Sequence, residues 1–295
     1  MCVCTCKPGY ETSLTDRQWA VIRPLLPVRD PRHGGRPLKY DRRLILDTIL
    51  YVLRTGCAWR HVPHDLAPWD AAYRWFSAWS ADGTWRRVHE VLRDRARESE
   101  GRDRQPTAAV LDSQSAKSAE GGQAIGYDAG KRVRGRKRHL LVDTGGLVLH
   151  RLVHSASIQD RAGAKLVLHD LHQHFPGIEL VWVDGGYVNV VDTGLIDWAQ
   201  REEQLKLVVV PRNADVRGFQ VLPRRWVVER TFGWLARCRR LARDYERKTA
   251  HAEAMIDVAM IRLLAARLAG EEIEPHGPIE TEAARRIAED LNEDQ

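Results

Sequence analysis

Three carboxylates set the chemistry this chain could do. Asp112 closes an apolar run in AAVLDSQSAK, and Asp184 closes another in IELVWVDGGY. Glu229 sits in a helix-patterned, arginine-rich stretch, RRWVVERTFGWLARCRRL. Short apolar runs of this kind read as buried strands, and the ends of neighbouring strands lie close together in an open sheet. A third carboxylate on a helix can converge on the same point. Three carboxylates away from bulk water repel one another unless cations lie between them. Hard divalent ions with oxygen ligands meet that need, so Mg²⁺ or Mn²⁺ is the expected cofactor. Two ions per site, bridged by Asp112 with Asp184 on one and Glu229 on the other, would serve phosphoryl transfer. The many arginines nearby point to a polyanionic substrate.

Two basic stretches extend that reading. Residues 131–139, KRVRGRKRH, hold six Lys or Arg and no acid. Lys131, Arg132, Arg134, Arg136, Lys137 and Arg138 are therefore expected on phosphates. Along the helix of Glu229, helical spacing places Arg225, Glu229, Gly233 and either Ala236 or Arg237 on one face. Val228, Phe232 and Leu235 form the adjacent apolar stripe that should pack on the sheet. Arg225, Arg237 and Arg240 are expected to face DNA, and Arg225 is spaced for an ion pair with Glu229. Gly233 weakens a helix, so close approach of DNA or of another helix is its expected reason. Asp143 precedes Gly145-Gly146 and reads as turn chemistry; Asp160 reads as a helix cap.

The elements that must position these residues fall in two blocks. Residues 1–13 read as disordered. Thr15 to Gln18 has capping-box spacing and opens a helix with Trp19, Ile22 and Leu26 on one face. Residues 27–40 form a Pro/Gly-rich basic connector. Asp41 caps a helix whose Leu44, Thr48, Tyr51 and Val52 follow helical spacing, ending at Thr55-Gly56. Further helices are expected over about 69–79 and 84–97, with most tryptophans in the core. This 14–97 block reads as an all-α, helix-turn-helix-like DNA-binding domain. A linker over 98–106 follows. Strands are then expected over 107–112, 138–143, 147–153, 178–184 and 205–211, the second and third joined as a hairpin through Thr144-Gly145-Gly146. Helices are expected over about 160–174, 189–204 and 223–269. That order gives an α/β domain over 107–270, a ribonuclease H-like mixed sheet flanked by helices. An acidic tail spans 271–295.

Composition excludes several classes. The 295 residues, 43% hydrophobic and 29% charged, suit a globular protein with a sizeable core. No apolar run approaches the roughly 20 residues that span a bilayer. No signal-peptide pattern opens the chain, so a cytoplasmic, nucleoid-associated protein is expected. The net charge of +6 understates the basic middle, because the tail is strongly acidic. Cys2, Cys4 and Cys6 alternate at the start, Cys57 and Cys238 stand alone, and no paired CxxC units point to zinc. Cys57, His61 and His64 read as a polar loop after a helix.

Taken in order, LTDRQWAVIRPLLP, GRPLKYDRRLILDTILYVLRTGCAWRHVP, DSQSAK, GYDAGKRVRGRKRHLLVDT, DGGY and RRWVVERTFGWLARCRRLARDYE resemble the DDE transposases of bacterial insertion sequences, over roughly residues 14–270. The resemblance implies that Asp112, Asp184 and Glu229 are the metal ligands, with Arg225 as the arginine preceding the glutamate. It implies binding of double-stranded DNA at terminal inverted repeats, metal-dependent cleavage and strand transfer into target DNA, and at least a dimer on DNA. Relatives often carry a Tyr and a Lys where this chain has Leu222 and Ala236, which argues against a hairpin intermediate; Arg237 could supply the missing charge. Two alternatives stay open: a ribonuclease H-like nuclease without strand transfer, and a non-catalytic DNA-binding protein derived from a transposase.

Overall fold

The computed structural model describes residues 9–28, 39–119, 121–187, 194–210 and 224–271. The Cys2/Cys4/Cys6 start, most of the 27–40 connector, Leu222 and the acidic tail beyond Glu271 lie outside them.

Side-chain caps begin the first helices. Thr15 accepts from the Gln18 N–H at the start of α1 (Asp16–Ile22), but the Gln18 side chain turns to Glu271 instead of closing the box. Asp41 accepts from the Arg43 N–H to cap α2 (Arg42–Thr55), and Gly56 ends it in the left-handed conformation. The buried surface of α2 is wider than one stripe: Ile45, Leu46, Ile49, Leu50, Val52 and Leu53 are all enclosed, while Leu44 and Tyr51 are half-buried. The reason is that α3 (Trp69–Ala81) covers one side and the C-terminal helices another. In α3 and α4 (Thr84–Ser99), Trp79 and Trp85 are buried edge to face, 5.0 Å apart, whereas Trp69 stays exposed.

Six strands form one sheet: β1 (Ala108–Lys117), β2 (Gly126–Asp128), β3 (Val133–Asp143), β4 (Val148–Ser155), β5 (Leu180–Asp184) and β6 (Lys206–Val210). β3 pairs antiparallel with β1, β2 and β4, while β5 and β6 run parallel to β1. With the short β2 set aside, the order β4-β3-β1-β5-β6 is that of the ribonuclease H-like fold. One face carries Leu111, Leu141, Val181 and Val183 and is covered by α5 (Asp160–Leu168), α6 (Leu171–His174) and α7 (Gly194–Glu202). The other carries Val110, Leu140, Val142 and Trp182 beneath α8 (Trp226–Ala236) and α10 (Thr249–Leu268). On that side the core continues without a break into α2, α3 and α4.

Two expected helices are divided. The 160–174 helix stops at His169 because Asp170 takes a left-handed φ of 57°. Glu203 holds that corner, accepting from the Asp170 N–H and pairing with His169. The 223–269 stretch becomes α8, a single turn α9 (Arg239–Ala242) and α10, parted where Cys238 and Arg243 become extended.

β3 explains the basic run. In a strand, successive side chains leave opposite faces, and both faces here are covered. Arg136 and Arg138 go to the α8/α10 side, Lys137 and His139 to the α5 side. All four are therefore inside the protein. Arg136 binds Asp244 at 2.8 Å and the carbonyls of Glu246 at 2.6 Å and Arg247 at 2.9 Å. Arg138 binds the carbonyls of Leu241 at 2.6 Å and Arg243 at 3.2 Å, and burial lowers its pKa. These two guanidiniums satisfy carbonyls at the end of α9 and along the irregular link from it to α10. On the other face Lys137 lies 2.9 Å from Asp160 and 3.4 Å from Asp128. Burial pushes His139 down to about 3, so its 2.8 Å contact with His154 joins neutral rings at pH 7.

Arg136→Met should cost about 3–5 kcal/mol, because it strands the buried Asp244 carboxylate. Arg134→Ala, on the exposed end of the same strand, should stay within about 0.5 kcal/mol. Urea unfolding of both variants checks this; equal midpoints would remove the internal role assigned to Arg136.

Candidate active site

β1 and β5 are parallel neighbours with Val110 level with Trp182. Two residues further along each strand, Asp112 stands beside Asp184, and the period of two keeps both on the face of Val110 and Trp182. α8 covers that face with Val228, Phe232 and Leu235 buried, and Glu229 lies one residue from Val228 at the rim. Arg225 joins the group. Its Nη2 lies 3.2 Å from Asp184 Oδ2 and 3.5 Å from Glu229 Oε1. The spacing-predicted Arg225–Glu229 pair is thus present, and the same guanidinium also neutralises Asp184.

Asp112 is half-buried and accepts from the Ser113 N–H at 2.7 Å. Burial pushes its carboxyl up to about 6, and Asp184 adds to the rise. The Ser113 amide, Arg225 and Lys131 oppose it. Asp112 is not at the end of its strand, as its polar flank implied. β1 continues to Lys117 because Ser113–Lys117 still pair with β3, whose first residues reach back to meet them.

α8 is seated by the β3–β4 turn. Thr231 Oγ1 donates to the Gly146 carbonyl at 2.7 Å and Arg230 donates to that of Gly145 at 2.9 Å. Gly146 is required there: its φ is 82°, and a Cβ would come 2.9 Å from Thr231 Oγ1. Asp143 shapes the turn by accepting from the Gly145 and Leu147 N–H groups, as its position before two glycines implied. It also pairs, fully buried, with Arg97 at the end of α4 and with Arg102. The turn thus ties the N-terminal helices to the helix of Glu229.

Behind Asp112, on the opposite face, Ser113 donates to Asp160 at 2.8 Å and Ser115 donates to Asp128 at 2.6 Å. Lys137 bridges the two acids, and Lys131 Nζ reaches the Ser113 carbonyl at 3.2 Å. Asp160 therefore does not cap α5, whose N-cap is Gln159; its carboxylate is committed to Lys137 and Ser113. Tyr187 is buried beside this cluster. Burial, then the nearby Asp112, raises its phenol well above the ordinary value, so it stays protonated. Nothing in the spacing joined these residues into one network, although Ser113 and Ser115 stood in DSQSAK, Asp128, Lys131 and Lys137 in GYDAGKRVRGRKRHLLVDT, and Tyr187 in DGGY.

The basic residues divide. Lys131, Arg132, Arg134 and Arg237 are exposed, as are Arg224, Arg239 and Arg243. Arg136, Lys137 and Arg138 do not face DNA, since each is enclosed and bonded to acceptors inside the protein. Arg240 is likewise drawn in, with Nε 2.8 Å from Glu246 and Nη1 3.1 Å from the Cys57 carbonyl. Charge alone cannot distinguish the two groups; what separates them on β3 is whether both faces of the strand are covered at that point. Gly233 is exposed, and a Cβ there would meet nothing within 4 Å, so no helix among the described residues requires it.

The model of the transposase DDE domain matches residues 103–264, and that of the IS4/5-family transposases matches residues 14–89. The chain belongs to the DDE transposases of insertion sequences. An uncharacterized 16.2 kDa protein of insertion element IS402 from Burkholderia cepacia is 34% identical over 117 residues, covering 38% of this transposase and 78% of that protein. The uncharacterized protein y4sN of Sinorhizobium fredii is 33% identical over 87 residues, covering 30% and 66%. No solved structure matches. No helix among the described residues is long and apolar enough to cross a membrane.

The donor set fits a hard divalent cation in its chemistry: oxygen ligands only, with more negative charge than Arg225 and Lys131 neutralise. Among the described residues, no three His, Cys, Asp or Glu side chains are already gathered at the spacing one ion needs. Arg225 lies between Asp184 and Glu229, and its guanidinium is the counter-charge that the two share.

Asp112 binds a proton more tightly in the folded protein than its ordinary value of 3.8. Its contribution to metal-free stability is present below about pH 4 and is lost as pH rises through about 6. Asp112→Asn should remove that loss and leave the metal-free fold at pH 7 as stable as the parent or more so. Melting curves at pH 4.5 and 7, with and without Mg²⁺, check it; a large drop in Tm for the variant would give Asp112 a structural role. Gly233→Ala should raise metal-free stability by up to about 1 kcal/mol, read by the same curves.

Proposed function

We propose that this transposase binds the terminal inverted repeats of its element, cuts the DNA there and joins the freed ends to target DNA, with Asp112, Asp184 and Glu229 as the catalytic carboxylates. The observation that carries this is the arrival of three carboxylates from β1, β5 and α8 at one basic rim, two of them already sharing Arg225. A buried purely structural ion pair needs one acid for one base. Three acids around one guanidinium leave negative charge that a bound cation would offset.

Mg²⁺ or Mn²⁺, two per site, would be held by these carboxylates and would supply stabilisation of charge building on the phosphate oxygens. The protein's own residues do the rest. β1 and β5 fix Asp112 and Asp184 on a rigid sheet, and the Gly145-Gly146 turn fixes Glu229 against them. In the first step water attacks the phosphorus, the bond to the 3′ oxygen breaks, and the element keeps a 3′-OH. In the second, that hydroxyl attacks a target phosphodiester and displaces the target's own 3′ oxygen. Neither step needs a covalent protein–DNA bond.

Lys131, Arg132, Arg134, Arg224, Arg237, Arg239 and Arg243 are the exposed cations at hand for phosphates. The 14–97 helical block is assigned to reading the repeats, and two copies of the chain to pairing the ends. About six phosphate contacts would reduce affinity on the order of a thousandfold between 50 and 200 mM salt.

Labelled duplexes bearing the flanking inverted repeats, incubated with Mg²⁺ or with EDTA, test the reading beside Glu229→Gln. Mg²⁺-dependent cuts at the repeat ends, absent in the variant, are expected, followed by joining to a second duplex. Cuts without joining would make the protein a nuclease. Salt-sensitive binding without cuts would make it a DNA-binding relative of transposases.

A further inference from the structure

A groove of about 550 Å³ lies between the helical block and the 240–247 segment, away from the carboxylates. Trp59, Trp69 and Tyr73 line one wall, and Tyr245 with Arg240 and Arg247 the other. The volume falls in the roughly 300–1,000 Å³ range of built ligand sites. Both walls are tied in place. Arg54 donates to the Arg237 carbonyl at 2.7 Å, and Arg240 donates to that of Cys57 at 3.1 Å. Gly56, at φ 71°, lets the end of α2 approach so closely that a Cβ would meet Arg239 Cβ at 3.0 Å. The second wall is the segment gripped by Arg136 and Arg138.

The lining has a definite chemistry. Trp59 and Tyr73 meet edge to face at 5.3 Å. The Arg60 guanidinium lies 5.0 Å from the ring centre of the exposed Trp69, and that of Arg240 5.1 Å from Tyr245. The one acid in the lining, Glu246, is already paired with Arg240. The buried indole N–H of Trp59 meets no acceptor among the described residues. Rings beside the guanidinium groups of Arg60 and Arg247 suit a flat π system carrying a phosphate. A base inside a duplex already has both faces stacked and cannot enter.

The groove is also joined to the catalytic elements. α8 leads from Glu229 directly into Arg237 and α9. β1 leads from Asp112 to Ser118, which bridges Asp244, and Ala119 N–H donates to the Asp244 carbonyl at 2.9 Å.

We propose that this groove takes one unpaired nucleotide of the DNA on which the transposase acts, its base against Trp69 and Tyr73 and its phosphate on Arg60 and Arg247. The proposal rests on the DNA-cleaving reading above, and the test separates the two. Fluorescence anisotropy in EDTA would compare a fully paired repeat duplex with the same duplex carrying one bulged 2-aminopurine. The bulged duplex should bind roughly fivefold or more tighter, with quenching of the 2-aminopurine emission by stacking. Trp69→Ala, at an exposed position that should leave the fold intact, should bring the ratio of affinities toward one and restore emission; Trp69→Phe should keep most of both. Equal affinity for the two duplexes in the parent protein, or an unchanged ratio and quench in Trp69→Ala and Tyr73→Ala, would overturn the groove assignment while leaving DNA binding in place. Failure to bind either duplex would instead sink the DNA-binding reading itself.

Discussion

Two guanidinium groups on one face of β3 hold the C-terminal part of this fold to its sheet. Arg136 and Arg138 together satisfy four backbone carbonyls and a carboxylate between Leu241 and Arg247. Past Ala242 that stretch is neither helix nor strand, so its carbonyls have no ladder of their own. Without those two side chains, the path from α8 to α10 would leave buried acceptors unpaired. α10 would then lose the anchored approach that sets it across both the sheet and the N-terminal helices. The position of the 240–247 wall follows from this internal use of charge, while the β3–β4 turn seats α8 and ties it to the N-terminal helices.

The carboxylate site obeys the opposite rule. There charge is left uncompensated by design of the sheet: the parallel pairing of β1 and β5 brings two acids level on one face, and α8 adds a third. Arg225 relieves part of the repulsion, and burial makes Asp112 hold its proton more tightly than usual as pH falls toward about 6. Under the proposed function, the negative charge that remains is what bound cations would offset.

Much of this was legible in the sequence, for reasons that can be named. The apolar runs gave the five main strands, the caps at Thr15 and Asp41 gave two helix starts, and Asp143-Thr144-Gly145-Gly146 gave the hairpin. The strand ends and the arginine-rich helix marked the three acids, and the resemblance to transposases implied their role as metal ligands; it took the observed register of β1 and β5 to put Asp112 and Asp184 on one face. What could not be read was the fate of each cation. KRVRGRKRH looks like a surface for phosphate, yet β3 is interior on both faces and three of its cations are consumed there. Polar Ser113 to Lys117 looked like the end of a strand, but pairing is a property of the partner, and β3 was long enough to continue it. Asp170 breaks a helix by adopting a left-handed backbone that Glu203, more than thirty residues away, makes tolerable. None of these outcomes is encoded locally.

The continuity of the core from α2 to α10 has a consequence for synthesis of the chain. At about 5–20 residues per second, α10 emerges from the ribosome roughly ten to forty seconds after α2. Until then Leu46, Ile49, Leu53 and their neighbours lack the helix that encloses them. A chain interrupted before Thr249 would keep its first helices and its sheet strands but leave a broad apolar surface open. An apolar surface left open in this way is prone to aggregation, so α10 is the element on which solubility of the newly made chain depends.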